Sequence, residues 1–413
     1  MKKLQHIFLA SLLLLTFTLT ASAQTPYKKS AIVKELKSNM KEAAYSKVIN
    51  AVKNAFSKYP EQTGNDAEFY HYNIQACNAL ALEEAKKMYL AQKADTMKYF
   101  DYIQTVFTDG LTCDSLANIP DQKGRVVNRY HKDITALFVQ NMKKLPSAAK
   151  YAFQKKDYAR AYRFADTYIT LNADSSVYSQ KALSGEEATE VSPLSAITVL
   201  AAYAQNDFAH AVTYIDKALK ESNRRRQLLE IACRCYEQLS DSVRLEQNLR
   251  DGVNAYPSDK YFFFTLVKLY NDQSRYTDAL QLTNTMLQVD NQNRDFWYIR
   301  GKEEEYMGLE DDALKSFTAA TELKTDDAES FSAIGNIYLN KSHQTYEQQK
   351  GSTGTAQTSL KQELNALYTK AKDAFEHARK HDSQNTALWL SGLKELYYKL
   401  NMGKELKAIE SLK

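Results

Sequence analysis

Apolar residues recur along most of the chain at spacings of three and four, the period of an amphipathic helix. Between residues 192 and 327 a longer period is superimposed. Ala211, Leu245, Ala279 and Ala313 recur at a constant interval of 34 (245 − 211). Four residues beyond them stand Ile215, Leu249, Thr283 and Phe317, and seven beyond stand Ala218, Gly252, Met286 and Ala320. Sixteen residues upstream are Ser195, Leu229, Phe263 and Trp297. Small side chains at i and i+7 let a second helix approach, and the residue at i+4 fills the gap between them. The upstream set belongs on a preceding helix, with Phe263, Leu266, Val267 and Tyr270 in one unit and Trp297, Arg300, Gly301 and Glu304 in the next. Turns such as Gln273-Ser274-Arg275 and Gly308-Leu309-Glu310-Asp311 separate the two. Each unit is therefore predicted to be an antiparallel helix pair. A single pair cannot bury its apolar face, so neighbouring pairs must stack.

The unit beginning at Arg294 carries Trp297, Gly301, Ala313, Phe317 and Ala320. The next carries Phe331, Ile334, Gly335 and Tyr338, and its second helix matches late, through Ala371, Phe375 and Ala378. On these residues the chain resembles the tetratricopeptide repeat (TPR) family, although the Leu, Tyr and Pro of that pattern are missing from the Arg294 unit. The resemblance implies an all-α, right-handed α-solenoid of stacked antiparallel helix pairs, with a partner-binding concave groove lined by the first helices. The expected organisation is an irregular TPR-like helical region over 24–191, four in-phase units over 192–327, a fifth unit over 328–385, and capping helices over 386–413. The fifth unit carries a 24-residue insertion (371 − 313 − 34), centred on Lys350-Gly351-Ser352-Thr353-Gly354-Thr355 and expected to form a flexible loop at about 341–364. Upstream, Asp157-Tyr158-x-x-Ala161 copies Asp207-Phe208-x-x-Ala211, but no repeats can be counted over 69–154.

Helix geometry identifies the face left free by packing. Counting from the first residue of a unit, positions 4, 7, 8 and 11 cluster on one side, and 2, 5, 9 and 12 lie roughly opposite. Position 9 reads Arg234, Lys268, Lys302 and Asn336, with Tyr261, Phe264 and Tyr298 beside it. These seven residues are the candidate partner-binding groove. A cationic ladder with interleaved aromatics suits a peptide bearing carboxylates. The simpler reading is a solvated surface on which Glu230 and Glu305 neutralise Arg234 and Lys302 at helical spacing.

Composition narrows the functional classes. The 413 residues contain only 12 Gly and 6 Pro, too few for the turns of a sheet protein. A net charge of +4, from 54 Lys+Arg against 50 Asp+Glu, is not that of a dedicated nucleic-acid binder. Positions 1–23 read as an export signal: Lys2 and Lys3, an apolar run from Ile7 to Leu19, then Ala21-Ser22-Ala23 with cleavage after Ala23. No later stretch is long and apolar enough to span a membrane. An exported chain is expected to be periplasmic or secreted, where disulfides form. Cys233 and Cys235 point about 200° apart on a helix and cannot pair with each other. Cys77 and Cys113 could pair, with buried free thiols the plainer alternative.

Catalytic signatures are missing: the chain has no HExxH, GxSxG or Gly-rich phosphate loop. His377 and His381 share a helical face with Asp373, a set that reads as surface histidines before it reads as a metal site. The run Glu303–Glu305 reads as a solvated face. The expectation is a non-catalytic exported scaffold without cofactor or metal, binding a protein or peptide, with a place in cell-envelope assembly. The alternative is a glycan- or small-ligand-binding solenoid with a Tyr-rich groove.

Overall fold

The computed structural model describes residues 27–173 and 190–412, and every regular element among them is helical. The export segment and most of the stretch around 176–191 lie outside the described residues. The chain divides into two compact units, with the boundary between Asn206 and Asp207. It falls inside the first of the four units expected from the 34-residue period.

The amino-terminal unit contains α1 (Lys29–Lys41), α2 (Tyr45–Lys58), the single turn α3 (Pro60–Thr63), α4 (Ala67–Tyr89), α5 (Thr96–Ala117), α6 (His131–Asn141), α7 (Leu145–Gln154), α8 (Tyr158–Ala173) and α9 (Val191–Ala204). Helices pack as successive antiparallel neighbours, α1 on α2, α4 on α5 and α7 on α8, with α9 against α7 and α8. Aspartates start several of them: Asp66 accepts from the Glu68 amide and Asp95 from that of Lys98. Phe69, Ile103, Phe107 and Phe164 are among the residues that fill the core.

The carboxy-terminal unit contains α10 (Phe208–Val212), α11 (Ile215–Ala218), α12 (Arg225–Gln238), α13 (Ser242–Ala255), α14 (Lys260–Asp272), α15 (Tyr276–Val289), α16 (Arg294–Tyr306), α17 (Glu310–Leu323), α18 (Ala328–Lys350), α19 (Gly354–His381), α20 (Leu390–Lys399) and α21 (Gly403–Glu410). From α12 onward each helix packs on its neighbours in sequence. The Ala-type anchors Ala279, Ala313 and Ala371 are fully buried on second helices. In the units that begin at Arg294 and Ala328, position 8 is a glycine that meets the phenylalanine of the second helix. A Cβ on Gly301 would lie 2.7 Å from the Phe317 ring, and one on Gly335 would lie 2.9 Å from Phe375. The second helix of the first repeat is broken at Thr213–Tyr214 into α10 and α11.

One turn recurs throughout. Ala43, Ala91, Lys156, Asn206, Ser240, Ser274 and Asn401 have φ between 53° and 59°, and Gly308 has φ 75°. The first seven are all of the non-glycine left-handed residues among those described, and each follows the end of a first helix. The next residue donates its amide back across the turn, as in Arg275 N to Tyr270 O (2.8 Å), Asp241 N to Tyr236 O (2.9 Å) and Asp157 N to Ala152 O (2.9 Å). This is the Schellman closure of a helix end. It occurs in both units, so the poorly matched region before residue 191 is built from the same hairpins.

The expected flexible loop at 341–364 is corrected by the structure. The first helix of the fifth unit continues to Lys350 and its partner begins at Gly354, leaving Gly351-Ser352-Thr353 as the turn. The buried face enters the insertion from both ends, through Ser342 and Thr345 after Leu339 and through Leu364 before Tyr368, while residues 346–363 are not buried. An insertion that keeps this spacing lengthens a hairpin. The carboxy-terminal helices place Trp389, Leu393, Leu396 and Tyr397 against Phe375 and Ala378 in one core.

Candidate functional site

First helices one repeat apart carry the candidate face: α12, α14, α16 and α18. Their registration follows from capping. Asp259, Asn293 and Asp327 stand one repeat apart and are the N-cap residues of the last three. The Asp259 and Asn293 side chains accept from the second amide of the following helix. With starts fixed at equal intervals, equal positions fall on equivalent faces.

Arg234 is exposed, donates to Glu230 at 2.8 Å, and lies 5.2 Å from the Tyr261 ring of the next repeat. Lys268 is exposed and bonded to Asp272 at 2.7 Å. Lys302 is less open and holds Glu305 at 2.5 Å; burial is the largest single influence and works against its charge, but the bond and charge of Glu305, with the nearby Tyr306 and Tyr298, together raise its pKa. Asn336 is exposed. Each cation of the ladder is thus engaged by an acid on its own helix, at the spacing that the sequence shows for Glu230 and Glu305. Among the aromatics, Tyr261, Phe264 and Tyr298 are half-buried. Tyr298 packs on Phe317 at 5.7 Å and beneath the Arg294 guanidinium at 4.5 Å, and burial raises the pKa of its hydroxyl. Phe264 borders a small cleft floored by Phe263 and Phe296 and rimmed by Asp259, Lys260 and Asp295. The structure brings Arg234 to Tyr261, while Lys268 and Lys302 make their ion pairs separately.

A second ladder was not seen in the sequence. The first residues of these helices pair across the repeat joint: Arg226 with Asp259 at 2.7 Å, Lys260 with Asp295 at 2.6 Å, and Arg294 with Asp327 and with Glu329 (2.9 Å). The Arg226 bond holds Asp259 below the usual carboxylate range. The signal was available, because Arg226, Lys260 and Arg294 recur once per repeat, each with an acid within one position of a full repeat further on. These pairs tie neighbouring first helices together at one edge of the candidate face.

One expectation about carboxylates changes. Glu303 and Glu304 are buried, so the run Glu303–Glu305 is not a solvated face. Glu304 sits at packing position 11, where it receives Arg300 at 2.8 Å and the Ser316 hydroxyl of α17 at 2.6 Å. Its buried methylenes fill the place of an apolar side chain. His377 and His381 are exposed and stack with Phe331, with His377 at a centroid distance of 4.8 Å from it. Among the described residues no group of three His, Cys, Asp or Glu side chains is arranged to hold a metal ion. Cys77, Cys113, Cys233 and Cys235 are free and buried, and burial pushes the Cys77, Cys113 and Cys233 thiols up to about 12. Among the described residues no helix is long and apolar enough to cross a membrane.

No protein-family model and no curated protein matches the sequence. Solved structures similar to the chain include YrrB, described as a TPR protein with an unusual peptide-binding site, at 17% identity over 51% of this chain and 95% of that one, TM-score 0.36. The C-terminal part of a TPR repeat-containing protein from Cytophaga hutchinsonii is 14% identical over 65% of this chain and 96% of that one, TM-score 0.40. A TPR repeats protein from Bacteroides fragilis is 14% identical over 62% of this chain and 98% of that one, TM-score 0.33. All are likenesses at low identity and low superposition; the repeat architecture stands on the chain's own 34-residue hairpins, Gly–Phe joints and recurring left-handed turn. By those features the described chain is an all-α, TPR-like helical-repeat protein.

Proposed function

We propose that the first-helix face of α12, α14, α16 and α18 binds a protein or peptide partner, and that the chain is a non-catalytic scaffold acting after export, in cell-envelope assembly. The supporting observation is the one-repeat recurrence of Arg234, Lys268, Lys302 and Asn336 at accessible positions, with Tyr261, Phe264 and Tyr298 half-buried beside them. Because Glu230, Asp272 and Glu305 already hold the three cations, a partner's carboxylates would enter by exchange with these acids. Such exchange gives specificity and salt dependence more than affinity. The larger share of affinity falls to the aromatics, which bury area at low entropic cost. Export is read from the amino-terminal segment, and the envelope role follows from export together with the repeat fold.

The test is selection of peptides from a display library on the chain from residue 24, followed by titration of the selected peptides. Replacing Tyr261, Phe264 and Tyr298 by Ala is expected to weaken binding at least about tenfold, the scale of one lost hot spot. Reversing Arg234, Lys268 and Lys302 to Glu is expected to change the selected sequences and flatten the salt dependence. Unchanged binding in both variants, each confirmed folded by circular dichroism, would place the site elsewhere.

A further inference from the structure

Neighbouring first helices α14 and α16 meet through one buried polar contact. Glu303 is fully buried, and its Oε1 accepts a hydrogen bond from Asn271 Nδ2 at 2.8 Å. Its other oxygen, Oε2, and the Asn271 Oδ1 are also buried, and neither has a donor within the protein. A carboxylate can only accept, and an amide carries its donors on nitrogen alone. Two acceptors left over on the same two side chains are what remains when one proton has not been counted.

We propose that Glu303 is a neutral carboxylic acid in the folded protein, its O–H donating to Asn271 Oδ1, so that acid and amide close a ring of two hydrogen bonds between successive repeats. One proton satisfies both oxygens and removes a buried charge. The surroundings agree. Lys302, next in the chain, favours the ionised form, but its ammonium is bonded to Glu305. On the packed helices, Lys268 is engaged by Asp272, Asp278 by Arg275 and Lys315 by Asp312, and on α16 itself Arg300 is engaged by Glu304. Burial outweighs Asn271 and Lys302 and pushes the Glu303 carboxyl above its usual range. The Asn73–Asp109 contact in the other unit (2.7 Å) differs, because the Thr108 hydroxyl lies 3.5 Å from the second Asp109 oxygen.

The ring makes this joint sensitive to pH. A glutamate in the unfolded chain titrates near about 4.3. Because the folded value is raised, stability from the ring is present in full below that pH and declines as pH rises toward and through the folded value. In that window the folding equilibrium falls about tenfold per pH unit for one proton.

The measurement is a 13C titration of glutamate side-chain carboxyls in the full chain, with the Glu303 signal identified by its loss in Glu303→Gln. The Glu303 signal is expected to stay at its protonated position at pH 6.5, where exposed glutamates have titrated. Glu303→Gln places an amide N–H where the acid O–H was. That variant is expected to fold, to hold or raise its urea midpoint at pH 7.5, and to lose about one proton's worth of pH dependence. A Glu303 signal that titrates with the other glutamates would overturn the proposal, as would a Glu303→Gln variant that is unfolded or destabilised at pH 7.5.

Discussion

The two compact units use one hairpin at different spacings. In the carboxy-terminal unit the left-handed turn residues Ser240, Ser274 and Gly308 are 34 apart (274 − 240). In the amino-terminal unit the intervals between Ala43, Ala91, Lys156 and Asn206 are 48 (91 − 43), 65 (156 − 91) and 50 (206 − 156). The extra length goes partly into longer helices, 23 residues in α4 and 22 in α5. The turn and the close helix approach are kept while helix length varies. Gly110 faces Phe138 in the first unit as Gly301 faces Phe317 in the second, with a Cβ on Gly110 placed 2.6 Å from the ring. Local closure defines the repeat, and constant length is a further property that only part of the chain retains.

If the joints are equivalent, emptying them costs the same in both units. Phe375→Ala, which vacates the space against Gly335 and Gly392, and Phe138→Ala, against Gly110, are each expected to destabilise by about 3–5 kcal/mol. Chemical denaturation followed by hydrogen exchange, to locate the loss, checks this. A cost confined to the carboxy-terminal unit would mean that the first unit is held together differently.

The edge ladder sharpens the contrast within the second unit. Arg294→Ala strands the Asp327 carboxylate, which is 1% exposed, and should cost about 1.5–3 kcal/mol in urea unfolding. Arg226→Ala breaks a pair whose arginine is about half exposed and should cost about 0.2–1 kcal/mol. Equal losses would show that burial does not grade the ladder.

The turns give smaller effects. Gly308→Ala forces a Cβ into the left-handed region and should cost about 1–2 kcal/mol in thermal unfolding. Lys156→Gly and Ser274→Gly should both stabilise, by about 0.5–1 kcal/mol, because relief of that strain exceeds the entropic cost of glycine. Opposite signs at 156 and 274 would separate the two units' turns.

The smallest effect is in acid. Arg275 above all, with Arg250 and the Tyr270 hydroxyl, holds the Glu246 carboxyl down to about 2. Its folded value is depressed, so its contribution is present above about pH 4.3 and is lost as pH falls through about 2. After screening it should amount to less than about 1 kcal/mol. Glu246→Gln should reduce acid sensitivity in this window, measured as urea midpoint against pH.

Most of the second unit was legible in the sequence. Ala279, Ala313 and Phe317 sit where a 34-residue period places them, and Glu230 and Glu305 hold Arg234 and Lys302 as their spacing requires. The first unit was legible only as irregular TPR-like helix, through Asp157-Tyr158-x-x-Ala161; its separate hairpins were not, because a periodic search needs constant length and their signature is a backbone angle carried by residues as unlike as Ala91, Lys156 and Asn206. The insertion at 341–364 misled through its Gly and Ser residues, while the three- and four-residue spacing on either side already continued the helices. Glu303 and Glu304 misled because composition reports charge and only packing reports burial. The edge ladder was visible as a 34-residue recurrence of cations, but its purpose depends on N-cap positions that the structure supplies.

Successive first helices of the second unit present equivalent positions at equal intervals. Pulsed dipolar spectroscopy with spin labels two repeats apart, at 234 with 302 and at 268 with 336, reads this directly. Two narrow distributions with the same mean separation are expected. Unequal means, or a broad distribution for either pair, would contradict this equivalence.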